Sequence, residues 1–79
     1  MKVSLYSLKK ILFQGEAELL NCKTLSGEIT VLNNHTALIT VLVSGVMKIV
    51  DQQKAHFFPI KSGFLEVRAG NEVRCIVEE

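Results

Sequence analysis

Apolar and polar residues alternate along most of this chain in runs of five to seven, and glycine, asparagine or serine interrupts nearly every run. A period of two is the signature of a strand with one buried face, because successive strand side chains point to opposite sides. Val3 and Leu5 share one face, with Ser4 and Tyr6 on the other. Ile11 to Phe13 starts a second strand, and Gln14-Gly15-Glu16 reads as a turn or bulge. Leu20 and Cys22 oppose Leu19 and Asn21, Ile29 and Val31 oppose Glu28, Thr30 and Leu32, and Met47 and Ile49 oppose Val46, Lys48 and Val50. Leu38 to Val43 is rich in β-branched residues, which favour strands.

The punctuation is equally specific. Leu25-Ser26-Gly27, Asn33-Asn34-His35, Ser44-Gly45, Asp51 to Lys54, Lys61-Ser62-Gly63 and Ala69-Gly70-Asn71 read as turns. Phe64 to Arg68 and Val73 to Val77, joined by the last of these, form an antiparallel hairpin. Pro59 cannot donate to a ladder, so its strand, Ala55 to Ile60, belongs at an edge, or Pro59 at a bulge or strand end. Leu8 to Phe13 is the one short helical candidate, and it is too short to be stable alone. The expectation is an all-β fold, a flattened sandwich of about ten short, mostly antiparallel strands.

At 79 residues the chain is one domain. A domain this small buries only about 60% of the surface its unfolded chain exposes, so it folds with modest stability or leans on a partner. The 48% of apolar residues is too many for disorder. The net charge of +1, with no basic block longer than Lys9-Lys10, argues against a nucleic-acid binder. No apolar run reaches the ~20 residues of a membrane-spanning helix; the longest, Ala37 to Val50, is broken by Thr40, Ser44, Gly45 and Lys48. Cys22 and Cys75 read as buried small hydrophobes, with a disulfide as the alternative; no C-x-x-C or neighbouring histidine suggests a metal.

Little here suggests catalysis. His35 has no nucleophile in its neighbourhood, although Glu28 could approach it across a hairpin. It reads as a turn histidine or as an interface residue, and His56 reads as a surface strand residue. Gly27, Gly45 and Gly63 match no phosphate-binding loop. Lys48, Lys54, Lys61 and Arg68 read as solvated strand faces. In Phe57-Phe58 one ring should enter the core while the other faces outward. The segment Ala37 to Val43 is apolar on both faces, which suggests a docked protein or a barrel edge.

One combination of motifs goes further. Gly27, Glu28, Ile29, Val31, Leu32, Asn34, His35, Leu38 and Ile39 follow a G-E-(apolar)-x-(apolar)-L-x-(N/G)-H-x-x-L-(apolar) pattern. Phe13-x-Gly15-Glu16-Ala17 precedes it and Gly63 to Val67 follows it, in order and at the expected spacing. Together these resemble the N-terminal domain of the epsilon subunit of bacterial and chloroplast F-type ATP synthases, called delta in mitochondria. That family's domain is a ten-stranded β-sandwich that binds the gamma subunit and sits on the membrane c-ring, so the resemblance implies a non-catalytic rotor subunit with no cofactor. Its partners would be gamma, the c-ring and, indirectly, the alpha/beta catalytic hexamer. Its place would be peripheral, on the cytoplasmic face of a bacterial membrane as part of F1.

By the same resemblance, Ser26, Gly27 and Glu28 form a loop facing the c-ring, and His35, Leu38 and Thr40 lie where gamma is contacted. His35-Thr36-Ala37-Leu38 lacks the proline of the common H-A-P-L, and Lys61-Ser62-Gly63 and Gly27-Glu28-Ile29-Thr30 depart from S-G-G and G-E-L-G. The residues stop at Glu79, where many members continue into a two-helix domain. Only the coupling role is therefore expected to carry over, without ATP binding or helix-mediated inhibition. The alternatives are a generic β-sandwich protein-binding module and, third, a small enzyme or ligand-binding barrel.

Overall fold

The computed structural model describes every residue from Met1 to Glu79 and contains nine strands. They are β1 (Lys2–Ser7), β2 (Ile11–Glu16), β3 (Leu19–Thr24), β4 (Gly27–Leu32), β5 (Leu38–Leu42), β6 (Gly45–Asp51), β7 (Lys54–Ile60), β8 (Ser62–Arg68) and β9 (Glu72–Glu78). Leu8 to Phe13 forms no helix: Leu8, Lys9 and Lys10 turn the chain between β1 and β2. The order is β2-β1-β9-β8-β5-β3-β6-β7, with β4 flanking β3. All pairs are antiparallel except β1 with β9, which run parallel from Lys2↔Glu72 to Ser7↔Val77. That long-range pairing joins the two ends of the chain and has no local signal.

The order folds over where β5 meets β3. Only Thr24↔Leu42 bridges those strands, with backbone N–H groups of Leu25 and Val43 donating to the carbonyls of Val41 and Lys23. At the far ends of the order, Phe13 of β2 meets Phe58 edge-on and His56 at a tilt, both from β7, with ring centroids 6.4 and 5.5 Å apart. The two halves, β2-β1-β9-β8-β5 and β4-β3-β6-β7, thus face each other as the layers of a sandwich. The inward residues of both halves form one core cluster that includes Val3, Leu5, Leu20, Cys22, Val31, Leu42, Met47, Ile49, Leu65, Val73 and Cys75. The period-two expectations for β1, β3, β4 and β6 hold.

Two local expectations change. Gly15 lies inside β2 opposite Val3, and the irregularity falls elsewhere: Leu5 pairs with Phe13 and Tyr6 with Ile11, so Leu12 is the extra residue. His56 is not a surface residue. It shares the inward side of β7 with Phe58 and Ile60, is half-buried and packs on Phe13. Phe57 is the outward ring, 61% exposed. Pro59 sits on β7, an edge strand as expected. The Gln52-Gln53 turn holds two non-glycine residues at positive φ, and the carboxylate of Glu18 accepts the Gln52 N–H at 2.8 Å to hold it.

Close packing between β8 and β9 makes one glycine structurally necessary. A Cβ on Gly63 would collide with the Ile76 carbonyl oxygen and stand 2.9 Å from the Val77 Cα, both backbone atoms that cannot step aside. At Gly45 the obstacle is only the flexible end of the Lys23 side chain. Gly63→Ala is therefore expected to cost about 1–3 kcal/mol, the usual penalty of overpacking. Gly45→Ala should cost less, and urea unfolding midpoints of the two variants check the order.

Candidate functional site

Thr24 builds the β3–β4 turn. Its hydroxyl donates to the Gly27 carbonyl at 2.8 Å and accepts the Ser26 N–H at 3.1 Å. Gly27 takes a φ of 116°, which L side chains adopt poorly, and Leu25 at the tip is 72% exposed. Glu28 stands outward opposite Lys23, and one of its carboxylate oxygens accepts from the Asn21 amide at 3.0 Å. The same amide reaches Thr30 Oγ1 at 2.9 Å, so Glu28 is held beside its strand.

His35 lies at the other end of β4. Its backbone N–H donates to the Leu32 carbonyl. Its ring Nδ1 is 2.7 Å from the Thr36 carbonyl oxygen, which can only accept, so Nδ1 carries the hydrogen. Asn34 ties this turn to the β8–β9 turn through Asn71 Oδ1 at 2.7 Å. Glu28 and His35 are therefore separated by the four residue steps from Glu28 to Leu32, about 13 Å of extended strand, and no ion pair joins them. Leu38 packs half-buried against the core, and Thr40 shares its side of β5. Their neighbours Ile39 and Val41 face outward. The six candidate positions thus fall in three places: Ser26, Gly27 and Glu28 at one end, His35 at the other, and Leu38 with Thr40 on the inward side of β5.

What the strands do bring together is apolar. Register places Tyr6 opposite Ile11 and Ile76, Ile76 opposite Phe64, and Phe64 opposite Val41. This outward row crosses all five strands of its half, with Ile39 and Glu66 beside it. Phe64 is 60% and Ile76 50% exposed. A shallow cavity of about 290 Å³ opens among Ile39, Phe64, Leu65, Glu66, Arg74 and Ile76. Cross-strand neighbours lie about 5 Å apart, so these side chains form a continuous surface. On the other half a shorter outward row, Leu32–Leu19–Val50–Ala55, lies at one end, and the exposed Phe57 stands in the next row beside Lys48, Asn21 and Thr30. The row escaped sequence reasoning because it is assembled by cross-strand register. Its one local trace is the two-sided hydrophobicity of Ala37 to Val43.

Cys22 and Cys75 are both free and buried, one from each layer. Burial pushes the Cys22 thiol up to about 11, and burial, reinforced by the charge of Cys22, pushes Cys75 further above its ordinary value of 9.0. They belong to the core and are poor nucleophiles.

The chain is thus a small all-β sandwich whose β2-β1-β9-β8-β5 layer carries an outward apolar row across all five of its strands. The sequence family of the "ATP synthase, Delta/Epsilon chain, beta-sandwich domain" matches residues 1–79, and the chain belongs to it. ATP synthase epsilon chains from Hydrogenovibrio crunogenus and Clostridium novyi are 35% and 37% identical over 68 and 67 residues. Those matches cover 86% and 84% of this chain and 47% and 51% of theirs. The Brevibacillus brevis epsilon chain is 30% identical across 99% of this chain and 59% of its own. The chain therefore spans about half the length of the curated relatives it matches.

Among solved structures, the fold is similar to a chain in the central stalk and c-ring of the Tetrahymena thermophila mitochondrial ATP synthase. There the TM-score is 0.87 at 22% identity, covering all of this chain and 63% of that one. A chain of the Euglena gracilis mitochondrial enzyme, in an assembly of OSCP, F1 and c-ring, gives a TM-score of 0.91, also at 22% identity, covering 98% of this chain and 49% of that one.

The thiols carry a pH dependence. Above pH 9.0 an unfolded thiol releases its proton while the folded one keeps it. Stability is then fully present below pH 9 and falls as pH rises toward 11, by about 1.4 kcal/mol per unit for each thiol affected. Urea unfolding from pH 8 to 11 should show this fall, and a Cys22→Ala/Cys75→Ala variant should show a shallower one.

Proposed function

We propose that this domain is a non-catalytic part of the ATP synthase central stalk, and that it docks the gamma subunit through the outer face of β2-β1-β9-β8-β5. The observation that carries this reading is the row Ile11–Tyr6–Ile76–Phe64–Val41, an apolar surface that water covers poorly and a partner covers well. Family membership supplies the kind of partner, and the central-stalk origin of a structural neighbour supports it. His35 borders this face in the proposal, Leu38 and Thr40 support it from the inward side of β5, and the exposed contacts on that strand are Ile39 and Val41.

The turn of Leu25, Ser26, Gly27 and Glu28 is assigned to the c-ring side. A tight, Thr24-braced turn with an apolar tip and an adjoining carboxylate suits short contacts that set register. Between them the two contacts would pass torque from ion flow to the stalk, with the domain peripheral on the cytoplasmic side of a bacterial membrane.

Binding of the purified gamma subunit from the same organism tests the face. Phe64→Glu should weaken binding by about 30-fold or more, the ~2 kcal/mol of an interface hot spot, while Phe57→Glu on the other layer should leave it near wild type. Unchanged affinity of a folded Phe64→Glu variant would overturn the assignment.

A further inference from the structure

Beside the apolar row of the docking face one arginine is left without a counterpart. Arg68 is 4.0 Å from Glu66 through Nε and 3.3 Å from Glu72 through Nη1, so it engages both nearby carboxylates. Arg74 faces Glu66 directly across the β8–β9 ladder, yet it forms no ion pair. It stands at the wall of the cavity next to Ile39, Phe64 and Ile76.

In water an unpaired guanidinium costs nothing. Once a partner covers the apolar row, Arg74 loses part of its hydration, and a desolvated charge is tolerated only when paired. Arginine presents a planar fork of donors suited to a carboxylate. Resting on the gamma-docking assignment above, we infer that Arg74 is a specificity-determining residue. It receives an aspartate or glutamate of the gamma subunit, whose neighbouring apolar side chains enter the cavity beside Phe64 and Ile76. Glu66, opposite Arg74, lies 4.0 Å from Arg68 Nε and not on Arg74, which leaves the Arg74 fork open at the cavity wall to a carboxylate from outside the chain. The pair sits at the margin of an apolar contact, so it acts on partner choice and encounter rate as well as on affinity.

The test uses the whole chain with the purified gamma subunit of the same organism, at low and at physiological salt. Arg74→Ala should weaken binding about tenfold and flatten the salt dependence of the association rate, Arg74→Glu should weaken it further, and Arg74→Lys should retain part of it. Replacing gamma carboxylates one at a time by lysine should reveal one position that restores binding to Arg74→Glu. Phe64→Glu is measured alongside. If Phe64→Glu abolishes binding while Arg74→Ala and Arg74→Glu bind as wild type, the inference about Arg74 is overturned and the docking face stands. If Phe64→Glu also binds as wild type, the docking assignment itself fails and takes the Arg74 pairing with it.

Discussion

The architecture depends on a kink between β5 and β6. From Thr24 back to Asn21, β3 advances three residues, while its antiparallel partners advance from Leu42 to Lys48. The surplus is taken up around Val43 and Ser44, and it lets one stretch of chain leave the first layer and enter the second. The Val43 N–H bonded to the Lys23 carbonyl, and the Leu25 N–H bonded to that of Val41, anchor this corner. Without it the strands would form an open sheet with one face in water, and Leu42, Met47 and Ile49 could not meet Leu5, Leu65 and Cys75 in a single core.

Folding the sheet over settles where hydrophobicity goes. Each strand has two faces, and the inward one is consumed by the core. Apolar residues in excess of that need appear outside, and register decides whether they scatter or align. On the β4-β3-β6-β7 layer Leu32, Leu19, Val50 and Ala55 align into a short row of smaller side chains at one end, while Phe57 falls beside Lys48. On the β2-β1-β9-β8-β5 layer they align into one row because the parallel β1·β9 ladder puts Tyr6 beside Ile76, and the β8·β9 and β5·β8 ladders extend it to Phe64 and Val41. A domain of this size gains stability only from a thin core, so covering such a row in a complex adds to its stability as well as to binding.

Much of this was legible before any coordinates. Alternation located the inward residues of β1, β3, β4 and β6; turn chemistry located the β8–β9 hairpin; and Pro59 narrowed its strand to an edge, a bulge or a strand end, of which the edge is found. What stayed hidden is non-local. No local pattern reveals that β1 runs parallel to β9, and without that pairing the outer row cannot be seen. His56 looked like a surface residue because its packing partner, Phe13, lies at the opposite end of the strand order. Glu28 was expected to be able to approach His35 across a hairpin, but both belong to one extended strand and its following turn, so they lie towards opposite ends of β4. Leu38 was picked from a motif, whereas the alternation of β5 turns Leu38 inward and gives the outer face to Ile39 and Val41.

The most direct measurement is photo-crosslinking from the two layers of the same domain. A benzophenone side chain is placed at position 64 on the proposed docking face, or at position 57 on the opposite one, within the assembled ATP synthase of the source organism. The account predicts a crosslink to gamma from position 64 and none to gamma from position 57. Capture of gamma from position 57 alone would contradict it, because the docking surface would then lie on the other layer.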